Sequence, residues 1–224
     1  MCFSAEASFA LAAALTSAAA FTVSRTWRGD RRWLGLALFP AGFAVQQAAE
    51  GALWLALDTG DAAGAALASR GFLFFSHVFW LAWVPFSTFL IEPDPRRRRI
   101  LGWLTVAGAA FGASIGGPSL ALSDWLSVEV VQGSIEYHTT LIWDGVLGRT
   151  PLRAIYAAII LAALFVSSHR SMAAFGGLIL ASLAFTLWLR PFAFISVWCF
   201  FAAILSLYMA GLFWRRPAAL TARP

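Results

Sequence analysis

The residues that could do chemistry are few, and they sit where they are costly. Gln46, Gln47 and Glu50, followed by Trp54, lie inside the second apolar stretch of the chain, and Ser76 and His77 lie inside the third. Polar and ionisable side chains in a bilayer core face the bundle interior and take partners. Gln46, Glu50 and Trp54 recur every four residues, so they share one helix face. Glu50 lies about 10 Å below the end of its helix and His77 about 8 Å below the start of the next, from the rise per residue. Consecutive antiparallel helices with a short connection pack side by side. Glu50 and His77 are therefore expected to face each other. A carboxylate and an imidazole in low dielectric suit proton relay, general base work or metal binding. The bland alternative is a hydrogen-bonded pair that only fixes helix packing.

Trp198 and Cys199 fall at similar depth on the last span. Trp54, Trp80, Trp83 and Trp198 are candidates to line a pocket for a flat or apolar ligand. The expected ligand-binding set is Gln46, Gln47, Glu50, Trp54, His77, Trp80, Trp198 and Cys199. A metal, if bound, would take Glu50 and His77, with Cys2, Glu6 or His138 supplying a further ligand from another element. No His-x-x-x-His, Cys-x-x-Cys or His-Glu-x-x-His spacing occurs. A phosphate-binding glycine loop is also missing. Arg190 could neutralise an acidic site, although an arginine beside a helix end more often reaches toward headgroups.

The elements that must hold these residues are membrane helices. Hydrophobic residues make up 60% of the 224 residues and charged ones 12%, far from the balance of a soluble domain. A span needs about 20 mainly apolar residues. Seven such stretches are read, at Ala5–Ser24, Trp33–Leu57, Phe72–Ile91, Ile100–Ile115, Leu152–Ser167, Met172–Leu189 and Phe192–Trp214. The expected fold is a single all-α polytopic domain over 1–224, with short loops and no separate soluble domain. The net charge of +5 does not point to nucleic acid, because the arginines flank spans. Arg25, Arg28, Arg31, Arg32, Arg96 to Arg99, Arg170, Arg215, Arg216 and Arg223 make 12 on one side, and Arg70, Arg149, Arg153 and Arg190 make 4 on the other. The side rich in arginine is cytoplasmic, so the N-terminus is expected outside and the C-terminus inside. The first span lacks a basic n-region, which argues against a cleaved signal peptide. The chain has no lysine, which excludes a retinal or pyridoxal Schiff base.

Two connections on the outer side are long. Asp58 to Arg70 reads as a small flexible loop. The other runs from Gly116-Gly117-Pro118, expected to end the fourth helix, to Pro151, expected to open the fifth. Within it, β-branched runs flank Gly133-Ser134, predicting a hairpin in which Gln132 faces Ile135, Val130 faces Tyr137 and Glu129 faces His138. Val128, Val130, Ile135 and Tyr137 would share the face against the helix ends. Gly108, Gly112 and Gly116 recur every four residues and allow close helix approach, within the chain or to a second copy or a larger complex. Pro85 is expected to kink the third helix.

Met1-Cys2-Phe3-Ser4-Ala5, Val45-Gln46-Gln47 with Glu50-Gly51 and Trp54, and Val197-Trp198-Cys199-Phe200-Phe201-Ala202 with Leu205-Ser206-Leu207-Tyr208 form a recognisable set. So do Trp83-Val84-Pro85, Glu92-Pro93 and Ser167-Ser168-His169-Arg170. Together they resemble an uncharacterised bacterial family of seven-helix membrane proteins whose members open with Met-Cys-Phe-Ser. The resemblance implies architecture and no activity, and it draws attention to Cys2, Gln47, Glu50, Trp198 and Cys199. A looser analogy is to intramembrane metal hydrolases of the alkaline ceramidase type. Their zinc needs three converging histidines, whereas His77, His138 and His169 are assigned to three different levels here.

The sequence thus points to a bacterial inner-membrane protein binding a small ligand or ion in the outer half of its bundle. An intramembrane enzyme using Glu50 and His77, and a structural subunit of a membrane complex, are the alternatives. The arginine split carries a direct expectation. A reporter enzyme fused after Pro224 should be active only in its cytoplasmic form, and periplasmic activity there would reverse the orientation.

Overall fold

The computed structural model describes residues 4–189 and 193–215. Cys2, Arg190 and Phe192 lie outside the described residues, so the expectations attached to them do too. Among the described residues, six helices are long and apolar enough to cross a membrane, and a small two-stranded antiparallel sheet accompanies them. In chain order these are α1 (Ala5–Arg28), α3 (Ala62–Ile91), α4 (Pro95–Ala121), α5 (Arg149–Val166), α6 (Arg170–Leu189) and α7 (Phe194–Arg215). One more long helix, α2 (Phe39–Thr59), falls between α1 and α3 and carries Gln46, Gln47 and Glu50. β1 (Leu126–Val131) and β2 (Ser134–Thr139) join α4 to α5.

The helices close into a ring. α1 packs on α2, α2 on the first half of α3, and the second half of α3 on α4 and α5. α5 packs on α6, α6 on α7, and α7 returns to both α1 and α2. The ring has a hairpin end and an arginine end. At the arginine end the Glu92 carboxylate, itself buried, ties the turn after α3 to the turn after α5. Its Oε2 accepts from the Ser168 amide at 2.7 Å and its Oε1 from the Ser168 hydroxyl at 2.5 Å. Burial pushes the Glu92 carboxyl up, but these bonds and that from the Asp94 amide outweigh it and hold the group below its ordinary value. His169 Nε2 donates to the Ile91 carbonyl, 3.0 Å away, in the same corner.

Several boundaries differ from the sequence reading. The segment expected as a flexible loop over Asp58 to Arg70 is mostly helix. Gly60 ends α2 in the left-handed region, and the Asp61 side chain caps the next helix through the Gly64 amide at 2.9 Å. The alanine-rich run that follows is a strong helix former. Gly116-Gly117-Pro118 does not end α4, which continues to Ala121. Tertiary contacts hold its last turn, among them the Ser119 hydroxyl on the Thr140 carbonyl at 3.3 Å.

The hairpin forms, with its turn one residue earlier than expected. Val131 faces Ser134, Val130 faces Ile135, Glu129 faces Glu136 and Val128 faces Tyr137. Gln132 and Gly133 make the turn, both with positive φ, 49° and 74°. This is the pattern of a type I′ turn, whose twist matches the strands. Gln132 is an unusual residue there, so the sequence favoured Gly133-Ser134. The shift preserves the alternation, so Val128, Val130, Ile135 and Tyr137 still share a face. Ile135 and Tyr137 are buried on the helix ends, and Tyr137 stacks on Phe72 with ring centroids 5.0 Å apart. His138 and Glu129 are not directly opposed, yet they meet diagonally at 2.7 Å on the outer face.

α4 approaches α3 backbone to backbone. A Cβ at Gly108 would sit 2.0 Å from the Leu81 carbonyl oxygen, and one at Gly112 would sit 2.9 Å from that of His77. The Leu81 carbonyl would ordinarily accept from the amide of residue 85, which is Pro85 and has none. The glycine stripe is thus occupied by α3 of the same chain, which removes it as the docking face for another copy or a complex. Gly117 has nothing within 4 Å of an added Cβ. Gly108→Ala should therefore lower thermal stability markedly, by about 1–3 kcal/mol or more from overpacking. Gly117→Ala should be neutral or stabilising, since alanine is the better helix former. Equal melting temperatures for the two variants would contradict this packing.

Candidate functional site

Two polar groupings meet near the hairpin end. The first is a network on α2. Glu50 is buried, as are Gln46 and Gln47. Its Oε1 accepts from the Ser196 hydroxyl of α7, and its Oε2 from Gln47 Nε2 at 3.3 Å. One turn earlier, Gln46 Oε1 accepts from Trp80 Nε1 of α3 at 2.8 Å. Trp80 is itself stacked on Phe43, with centroids 3.9 Å apart. The shared face expected for Gln46 and Glu50 therefore exists, and it divides between α3 and α7. Trp54 packs with Leu53, Phe72, Ile135 and Tyr137 in the apolar cluster under the hairpin.

The second grouping surrounds a cavity of about 440 Å³ between the hairpin, α5 and the start of α7. This is the size range of small-molecule sites. His77, Trp198 and Cys199 line it, so three of the expected residues reach it. Gln46, Gln47, Glu50 and Trp54 do not. Cys199 lies on α7 three residues after Ser196, so the helix that bonds Glu50 also contributes to the cavity wall.

Glu50 and His77 share no hydrogen bond or ion pair among the described residues. The expected direct pair is corrected by helix geometry. α2 packs on the first half of α3, whereas His77 lies in a π-helical turn, Phe74–Phe79, that packs on α4. A Cβ at Gly116 would sit 3.0 Å from the His77 Cβ. His77 bonds the Ser76 hydroxyl through Nδ1 at 2.9 Å, which leaves Nε2 as the nitrogen available to a ligand. Among the described residues, three ligating side chains near enough to share an ion are Glu129, Glu136 and His138 on the outer hairpin face, with ligand atoms within 4.8 Å of one another.

The cavity also holds residues that sequence reasoning passed over. Arg149 and Arg153 project from the first turns of α5 into its wall. Arg149 donates to the Thr139 carbonyl at 2.5 Å and pairs with Asp144 at 3.1 Å. It also acts electrostatically on His77. Arg153 is half-buried, lies over the Phe194 ring at 4.8 Å, and forms no salt bridge among the described residues. Tyr137 is buried and lines the same space, and its hydroxyl has no hydrogen-bond partner among the described residues. Burial first, and the nearness of Glu50 and Cys199 second, push that phenol well above its ordinary value, so it remains an O–H donor. One signal for the arginines was present in the sequence. Cations in the first turns of a helix oppose its macrodipole, so two of them one turn apart need another reason to be there.

What these features define is a membrane-type helical bundle with a hairpin-roofed cavity that offers unspent donors. The chain belongs to a protein family described as a family of unknown function, DUF6629, whose model matches residues 1–223. No curated protein and no solved structure matches the chain.

The α2 network yields its own expectation. Gln47 Oε1 is buried without a partner. In Glu50→Gln, the new amide can keep the Ser196 bond and donate to Gln47 Oε1, so stability should change by less than about 1 kcal/mol. Glu50→Leu leaves both the Ser196 hydroxyl and the Gln47 amide unpaired, at about 1–3 kcal/mol each. Thermal unfolding of the two variants in the same detergent checks the ranking, and equal losses would contradict the network.

Proposed function

We propose that this protein is a seven-span protein of the bacterial inner membrane, N-terminus outside, that binds a singly charged small organic anion under its hairpin. It acts as a receptor-like or transport component. The arginine distribution supports the orientation, and α2 becomes the seventh span because its polar side chains are turned inward. The observation that carries the ligand class is the pairing of Arg153, half-buried without a salt bridge, with the unpartnered Tyr137 hydroxyl on one cavity. A buried donor without an acceptor is costly, and an anion satisfies both groups at once. Charge-assisted bonds of this kind are the stronger ones. His77 Nε2 adds a third contact.

Asp124 and Glu136 also face the cavity, and Glu136 acts on Arg153 electrostatically. Their charge disfavours a polyphosphate and favours a carboxylate. The Glu50 network stands behind the site and positions Cys199 and α7 rather than touching the ligand.

The test uses purified protein in lipid nanodiscs and a short carboxylate followed by ¹⁹F NMR. Arg153→Gln should abolish measurable binding. Tyr137→Phe keeps the stacking on Phe72 and removes one donor, so it should bind about tenfold more weakly, the loss of one hydrogen bond to a charged group. Because that hydroxyl is unpartnered in the empty site, the same variant should melt at the same or a higher temperature. Unchanged binding in both variants would remove the anion reading.

A further inference from the structure

A second, smaller cavity of about 40 Å³ lies deeper in the bundle. Its walls come from Phe39 and Phe43 of α2, Val84 of α3, Ile160 of α5 and Ile179 of α6, among others. It shares Tyr156, Trp198 and Cys199 with the large cavity. Those three side chains are therefore a common partition, with an anion-seeking chamber above and an apolar slot below. The two tryptophan N–H groups at the slot are already spent, Trp80 on Gln46 and Trp198 on Ser182 at 3.2 Å. A water needs two to four polar partners, and walls of this composition do not supply them. The slot is about three times the ~10–15 Å³ that one water needs. Its contents should be methylene and methyl groups, a few carbons in all.

We infer that the anion bound under the hairpin is the carboxylate of a single-chain amphiphile, whose chain passes the Tyr156–Trp198–Cys199 partition and ends in the apolar slot. This rests on the anion reading above and names its ligand class as a medium-chain carboxylic acid. Charge and chain are matched by different parts of the protein. The head meets Arg153, Tyr137 and His77, which lie on α5, β2 and α3. The tail meets only apolar and aromatic side chains. Trp198 is packed edge-on to Tyr156 with centroids 5.6 Å apart, and both residues line each chamber, so the chain reaches the slot by parting these two rings. Burying a methylene contributes about 0.8 kcal/mol, which is about fourfold in affinity. Filling the slot with three carbons should therefore raise affinity roughly 50-fold, and further carbons should add little.

The experiment measures binding of fluorine-labelled butyrate, octanoate, decanoate and dodecanoate to the full chain in phosphatidylcholine nanodiscs, with empty nanodiscs subtracted. Affinity should climb with chain length and then level off. Ala202 lines the slot and not the large cavity. Ala202→Phe, with Ala202→Leu as the milder filling, should erase the chain-length gain and leave butyrate binding unchanged. Retained butyrate binding also establishes that the variant is folded. If affinity does not rise with chain length, or rises equally in wild type and both filled variants, the tail assignment is overturned while the anion site stands. If wild type binds no butyrate and Arg153→Gln changes nothing for any chain, the anion reading itself fails.

Discussion

The Leu81 carbonyl lacks its ordinary helical donor, because the residue four positions on is Pro85, and the backbone of α4 packs directly onto it at Gly108. Much of the molecule follows from that contact. In a bilayer core a backbone polar group must be satisfied within the protein, and a side chain at residue 108 would prevent the approach. With α4 held this close, Gly112 and Gly116 fall against His77 and Val78. The end of α4 then sits beside the π-helical turn of α3. The hairpin that leaves it must fold back over α3 and α7, with Tyr137 on Phe72 and β2 against α7. A roof in that place, above two arginines on the next helix, is what creates the cavity.

The two polar groupings have different physical roles. Around Glu50, the bond from the Ser196 hydroxyl ties α2 to α7 and that from Gln47 braces the carboxylate within α2, while Gln46 Nε2 and Gln47 Oε1 have no hydrogen-bond partner among the described residues. That network lets a helix carrying a carboxylate and two amides lie among apolar neighbours. Around Arg153, a half-buried cation without a salt bridge and a buried phenol without a hydrogen-bond partner, both among the described residues, line one cavity. Unpaired donors beside a cavity are a sign of a ligand, whereas a carboxylate whose bonds all run to neighbouring segments is a sign of structure. Glu92 is of the structural kind, a second buried carboxylate whose bonds to Ser168 fasten two turns at the opposite end.

The residues that seemed most capable of chemistry were thus divided by the fold. His77, Trp198 and Cys199 reach the large cavity, and Trp80, Trp198 and Cys199 reach the small one. Glu50, Gln46 and Gln47 stand behind both. In the sequence Arg149 and Arg153 read as topology signals, since an arginine near a helix end is usually at the headgroups. Tyr137 had been assigned to the apolar face of the hairpin. It does lie there, with its ring stacked on Phe72, and it lines the cavity as well.

Composition and periodicity alone determined the membrane class, the helices and the existence of a two-faced hairpin. These depend on local quantities, such as hydrophobic run length, glycine spacing and strand alternation, which each segment carries with it. The expensive polar residues were legible for the same reason, because their cost in lipid does not depend on their neighbours. Which of them meet was decided only by tertiary structure. Helix rotation decides whether Glu50 looks at α3 or α7, and a π-helical turn at Phe74–Phe79 is enough to send His77 toward α4. The turn at Gln132-Gly133 was likewise chosen by how the strands seat on the helix ends, against the local preference for Gly133-Ser134. A cavity is the space that several elements fail to fill, so no single segment encodes it, and its lining became visible only once the hairpin, α5 and α7 were in place.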